Sequence, residues 1–444
     1  VERDAYSQLL AWKANPRRKP LIISGARQVG KTWLMTEFGR REYDDVVALS
    51  FFDDDQLAQT LFPDRNASRI IERLEVHLER SIDPARTLLL LDEIQEAPNA
   101  LGSLKSFAES APQYQIIAAG SLLGVALHAD QSFPVGKVDF LDLRPMSFSE
   151  FLRAMGRSRL DDTLTHRDPM QAAAFHDELT RLLKTYYVVG GMPEVVAGFA
   201  DHGSFSLAQD AQRNILRAYD LDFSKHAPLD LVPRLRRVLA SIPQQLGREK
   251  KKFVYSNIEP GARARAYEMA IEWMVNAGLA YRIPRVAAPR VPLSAYADPS
   301  AFKLYLVDVG LLSALSKLAP ATVLDGNELF TQYKGALTEQ YVLQELISAV
   351  GTEPYYWTND RNTAEVDFLL DLDNHIIPLE AKANLHLQAK SLKAYVDRFA
   401  PETVVRTSLA PPHVGGPIVD TPLYAIGRLR HTLAARTSGN QPEE

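Results

Sequence analysis

Gly25-Ala26-Arg27-Gln28-Val29-Gly30-Lys31-Thr32 is a complete GxxxxGK[ST] element, and its surroundings decide how the first third of the chain folds. The apolar run Leu21 to Ser24 precedes it and the helix-forming stretch KTWLMTEFGRREY follows, so the loop joins a buried strand to a helix. Gly25 and Gly30 permit a tight turn that a side chain would block. Such a turn aims several backbone N–H groups at one set of phosphates. Lys31 supplies positive charge for the β- and γ-phosphates, and Thr32 offers a hydroxyl to Mg²⁺. The helix entered through Trp33 presents its positive end to the same anion. Gly25 through Trp33 are therefore the candidate nucleotide-binding residues.

Leu88 to Leu91 is a second buried run, and it ends in Asp92-Glu93. Two acids at a strand end place one carboxylate near the metal and the next near an attacking water. Asp92 would act through the metal shell beside Thr32, and Glu93 would orient or deprotonate the water. YQIIAAGS is a further apolar run ending in Ser121. That hydroxyl either touches the γ-phosphate or the water, or caps the next helix. ATP and Mg²⁺ are the expected cofactors. The loop reads phosphates and leaves the base unspecified.

LIISG, VVALSFF, TLLLLDE and YQIIAAGS read as strands. They alternate with the helical stretches KTWLMTEFGRREY, ASRIIERLEVHLERSI and NALGSLKSFAESA. That alternation predicts an α/β fold with a parallel sheet covered on both faces. The ATPase core is expected over residues 1–143. A helical lid follows over 144–227, its helix before Gly190-Gly191 and Pro193 clearly terminated. Residues 228–300 read as helices and then two strands, the order of a winged helix. A mixed α/β domain is expected over 301–435, and a polar, disordered tail over 436–444.

The 444 residues exceed what one hydrophobic core usually serves. Apolar residues at 46% and charged residues at 24% are an ordinary soluble balance. With a net charge of −5, affinity for nucleic acid must come from a local basic patch. The absence of cysteine excludes disulfides and thiolate metal sites. No stretch is long and apolar enough to cross a bilayer, and the first residues lack the order of a signal peptide, so a cytoplasmic location is expected.

GARQVGKT, LLLLDEIQEAP, IIAAGS, LRPMSFSEFL and YYVVGGMPEVV resemble the prokaryotic AAA+-type ATPases paired with a DUF4143 domain. FKLYLVDVGLLSAL, KGALTEQYVLQEL, EVDFLL and IIPLEAKA resemble that C-terminal domain. The resemblance implies an AAA+-like core, a helical lid, a winged helix and a restriction-endonuclease-like C-terminal fold. It brings Ser121 forward as a sensor, so that Lys31, Glu93 and Ser121 form the candidate catalytic set. It also raises a homo-oligomer, since such proteins often form rings. Related ATPases often have Gly-Arg after the sensor strand. Here Lys137 follows Gly136, and lysine lacks the planar fork of arginine. Arg144 and Arg153 are weak substitutes.

Glu365-Val-Asp367 ends one strand-like run and Glu380-Ala-Lys382 lies on the next. Alternation puts the outer residues of each tripeptide on one face, so Asp367 and Glu380 can face one point beside Lys382. Glu339 on the preceding helix adds a third acid, and Gln388 and Tyr395 on the next helix reach toward a substrate phosphate. Two carboxylates and a lysine suit metal-assisted phosphodiester cleavage. Glu339, Asp367, Glu380 and Lys382 match the slots of the PD-(D/E)XK nuclease pattern, and the same residues on a binding platform would be idle. Arg236, Arg237, Lys250, Lys251, Lys252, Arg263 and Arg265 form a basic patch around the expected winged helix. DNA is the expected partner, and a nucleotide-gated protein-interaction switch is the alternative. Tyr355, Tyr356 and Trp357 read as core.

Overall fold

The computed structural model describes residues 2–439 except 53–54, 122–133, 135, 166–168, 327–330, 360, 362, 384–389 and 412–417. The chain divides into two compact units. Glu2–Arg144 and Trp273–Leu279 make the first; Pro145–Glu272 and Ala280–Glu444 make the second.

The first unit is built on a five-stranded parallel sheet: β1 Leu21–Ser24, β2 Asp45–Ser50, β3 Thr87–Asp92, β4 Gln115–Ala119 and β5 Asp139–Asp142. The strand order is β2-β3-β4-β1-β5. β3 and β4 are buried almost end to end, as strands covered on both faces must be. Ile22, Leu89, Leu91, Ile116 and Ala118 pack there with Ile70 and Leu74 of the Ala67–Leu78 helix and Leu104 and Phe107 of the Pro98–Ser110 helix. The first four strands and the Lys31–Glu42, Ala67–Leu78 and Pro98–Ser110 helices lie where periodicity puts them; the short Asp55–Leu61 helix between β2 and β3 is an addition. β5 does not announce itself, because its four residues DFLD carry two acids and only one is buried.

The second unit contains a seven-stranded mixed sheet in the order β12-β11-β10-β9-β8-β6-β7. Its strands are β6 Ala280–Val286, β7 Ala297–Leu306, β8 Tyr355–Thr358, β9 Glu365–Leu372, β10 His375–Ala381, β11 Val404–Ser408 and β12 Ile418–Pro422. The expected boundary at 300/301 falls inside β7, and the antiparallel β6–β7 hairpin continues the sheet of the C-terminal strands. Asp373 and Asn374, both left-handed with φ of 53° and 66°, close the β9–β10 hairpin. Asp and Asn tolerate that conformation better than other side chains.

The helices between residues 145 and 227 belong to this second unit. Phe148–Ala154 opens with a full capping box, Ser147 and Glu150. His176–Val189 stops at Gly190 (φ 74°), as its Gly-Gly signal predicts. Asp308 Oδ2 accepts the Gly191 N–H at 2.6 Å, and a Cβ on Gly191 would lie 2.2 Å from the Met146 carbonyl. Those contacts fasten the segment expected as a lid against the start of the Val309–Leu315 helix. The final helix, Leu429–Gly439, runs into the segment expected as a disordered tail. Among the described residues no helix is long and apolar enough to cross a membrane.

Candidate functional site

β1 ends at Ser24, and the chain then turns sharply. Gly25 has φ of 143°, and a Cβ there would lie 2.2 Å from the Leu143 carbonyl, so the position admits only glycine. Gln28 (φ 65°) and Gly30 (φ 90°) complete a left-handed winding that delivers the chain into the Lys31–Glu42 helix. Ala26 and Val29 are buried under the loop, Arg27 is half-buried, and Gln28 and Trp33 are exposed. The Lys31 side chain is buried, its Nζ donating to the carbonyls of Gly25 (2.9 Å) and Ala26 (2.8 Å). Burial brings its pKa down to about 8, against the opposing pull of Glu93 and Asp92.

Thr32 Oγ1 donates to Asp92 Oδ2 at 2.7 Å, so the first helical turn after the loop meets the end of β3. Burial raises the Asp92 pKa, with Glu93 adding and the Thr32 bond opposing. β4 lies between β1 and β3, and its C-terminal end therefore carries Ser121 to the acid pair. Ser121 Oγ donates to Glu93 Oε2 at 3.1 Å. The helix-cap role for Ser121 would rest on residues 122–133, outside the described residues. A tight left-handed turn, a buried lysine and an adjoining hydroxyl–carboxylate pair fit a Mg²⁺-bound polyphosphate.

Two contributors escaped sequence reasoning. Arg3 is buried, donating from Nη1 to the Val29 carbonyl (2.8 Å) and from Nη2 to the Arg144 carbonyl (2.6 Å). It braces the loop from beneath. Nothing in the local pattern around Arg3 signals a contact 26 residues away. The other is Gln95, whose Nε2 donates to Glu93 Oε2 at 2.6 Å. Of the weak arginine-finger substitutes, Arg153 pairs with Asp161 at 2.7 Å and Arg144 with Asp142 at 3.3 Å; Lys137 pairs with Glu109 at 3.0 Å.

In the second unit Glu339, Asp367 and Glu380 are buried together, as their order along the chain suggests. Their surroundings differ from an open metal site. Lys303, fully buried on β7, pairs with Glu365 Oε1 at 2.5 Å and Glu339 Oε2 at 3.5 Å. Tyr305 donates to Glu339 Oε2 at 3.0 Å, and Lys251 pairs with Glu339 Oε1. Lys382 pairs with Glu380 Oε1. Asp367 Oδ2 accepts the Ala381 N–H at 2.9 Å. Burial, then Glu339 and Glu380, hold the Asp367 carboxyl well above the usual range; burial also raises Glu380. Among the described residues no group of three or more His, Cys, Asp or Glu side chains is arranged to hold a metal ion. Tyr395 is buried against Trp357 and Phe399 and does not face a substrate, because its ring completes the apolar cluster under β9. Tyr356 and Trp357 are core, as expected. Gln388 lies outside the described residues.

The basic patch is divided. Lys251 points inward to Glu339, a correction to its expected DNA-facing role: the buried carboxylate holds it as a counter-ion. Arg236 forms a two-pronged pair with Asp220 (2.5 and 3.1 Å), and Arg237 pairs with Glu259 at 2.8 Å. Lys250, Lys252, Arg263 and Arg265 are exposed.

The loop, the buried lysine and the Thr32–Asp92 pair define a P-loop nucleotide-binding domain. A family model described as "AAA domain" matches residues 17–152. Two models described as domains of unknown function follow, DUF8612 over residues 180–322 and DUF4143 over residues 334–424. The first unit is thus an AAA-type ATPase domain, and the chain also carries a DUF4143 domain. No curated relative matches. Among solved structures, the Walker-type ATPase PABY2304 of Pyrococcus abyssi is 14% identical, with 71% of this chain and 95% of that one covered and a TM-score of 0.45. The RuvB Holliday junction branch migration motor of Thermotoga maritima is 13% identical over 68% of this chain and 92% of its own, with a TM-score of 0.29. The Aeropyrum pernix Orc1 protein in complex with DNA is 15% identical over 71% and 92%, with a TM-score of 0.29.

Proposed function

We propose that this chain is a Mg²⁺-dependent ATPase that uses hydrolysis to bind, remodel or translocate DNA. The observation that carries the nucleotide half is the Thr32–Asp92 bond, which joins loop and acid strand at 2.7 Å. Lys31 neutralises the β- and γ-phosphate oxygens, and the loop N–H groups orient them. Thr32 and Asp92 would hold Mg²⁺, which supplies charge neutralisation on the same oxygens. Glu93 orients the attacking water and takes its proton, with Ser121 fixing the carboxylate from the neighbouring strand.

The DNA half draws on exposed Lys250, Lys252, Arg263 and Arg265. Arg263 precedes and Arg265 opens the Ala264–Asn276 helix, with Lys250 and Lys252 upstream in the chain; we read that helix with the Val232–Leu246 helix and the β6–β7 hairpin as a winged helix. Contacts of this kind neutralise phosphates with little reading of sequence, so their effect weakens with salt. ATP turnover measured with and without duplex DNA at low and moderate salt tests it. Stimulation at low salt that fades as salt rises is the expected outcome; no stimulation at low salt would sink the DNA reading.

A second reading is a nucleotide-gated protein-interaction switch with an inert nuclease-like domain. It is favoured, as to the inert domain, by the lysine and tyrosine partners already seated on Glu339. Carboxylates paired in this way must lose those partners before they can ligate a metal.

A further inference from the structure

Glu93 sits at the end of β3 with φ of 50°, left-handed for a side chain that rarely adopts it. The short 3₁₀ turn Ile94–Glu96 begins directly from it. This winding folds the side chain of Gln95 back onto Glu93, where Nε2 donates to Oε2 at 2.6 Å. Ser121 Oγ donates to the same oxygen at 3.1 Å, from β4. The amide faces this way for an electrostatic reason. Turned over, its oxygen would confront a carboxylate oxygen, and Oε2 would keep the Ser121 hydroxyl but lose the amide donor. The Gln95 Oε1 left behind is buried and reaches no donor among the described residues. An acceptor left in that state is costly, so the N–H end is the one the fold preserves.

We infer that Gln95 is a positioning residue for water activation, acting through Glu93. Both donors hold Oε2, which fixes the rotation of the carboxylate and commits Oε1 to the water that attacks a nucleotide bound at Lys31 and Thr32. The inference rests on the ATPase reading and goes beyond it, by assigning the orientation of the base to a residue outside the phosphate loop and the acid pair. A carboxylate free to rotate would present its basic oxygen to the water only part of the time.

The test is Gln95→Met in the full chain, which keeps the length and bulk of the side chain and removes the N–H donor. Mg-ATP turnover is measured against nucleotide affinity and thermal midpoint, beside wild type, Ser121→Ala and the double variant. The expected result is kcat lower by roughly 10- to 100-fold, with nucleotide Kd within about twofold and the thermal midpoint held. The double variant should fall further still, toward Glu93→Gln. A Gln95→Met variant with near-wild-type kcat would overturn the assignment. So would equal losses of kcat and nucleotide affinity, the mark of a side chain that only supports the fold. Wild type without turnover would instead remove the ATPase reading, and this inference with it.

Discussion

Lys31 carries its charge on a buried side chain, held by the Gly25 and Ala26 carbonyls. Its pKa of about 8, lowered first by burial, means that the nucleotide-free loop begins to lose its ammonium just above neutrality. A polyphosphate favours the charged form. Binding above pH 8 must therefore take up a proton, and affinity should fall by up to about tenfold per pH unit there. Calorimetry from pH 7 to 9 in buffers of different ionisation enthalpy measures this; a flat profile with no proton uptake would contradict it. In the absence of nucleotide the sign runs the other way. Between pH 8 and 10.5 the unfolded lysine binds the proton that the folded one has released, so this group's contribution to stability rises with pH. Gly25, Gly30, Lys31, Thr32, Asp92 and Glu93 were legible from the chain because fixed spacing and a strand-loop-helix context define them. Arg3 and Gln95 were not. One reaches the loop only through tertiary folding, and the other depends on a left-handed residue no pattern announces.

At the scale of elements, the strand and helix assignments around the acid cluster were readable, and the partners were not. β9 and β10 lie where alternation put them, and their register sets Asp367 and Glu380 near each other. Lys303 sits in FKLYLVD, a run that reads as buried strand, where a lysine looks like an exception; it is the internal counter-ion of Glu365 and Glu339. A charge balance among side chains from five separate segments cannot be read from any one of them. Breaking it is informative. Lys303→Met takes the counter-ion from Glu365 and leaves Glu339 to Lys251 and Tyr305; it should cost about 3–5 kcal/mol, read as a lower denaturant midpoint for the second unit. An unchanged midpoint would show that Lys303 does not hold the cluster together.

At the scale of the whole molecule, four expected segments became two compact units, since the helices after residue 144 and the β6–β7 hairpin share a unit with the C-terminal sheet. Local periodicity fixes elements and not the sheet a hairpin joins, which is why the expected border at 300/301 cut through a strand. Hydrolysis at the end of β3 is the activity proposed for the whole chain. Steady-state Mg-ATP turnover should be measured for wild type and Glu93→Gln, with nucleotide binding followed in parallel. Turnover in wild type, lowered by roughly 100-fold or more in the variant while nucleotide affinity is kept, is the expected result. Absent turnover in a nucleotide-binding wild type, or a Glu93→Gln variant that hydrolyses as well, would contradict it.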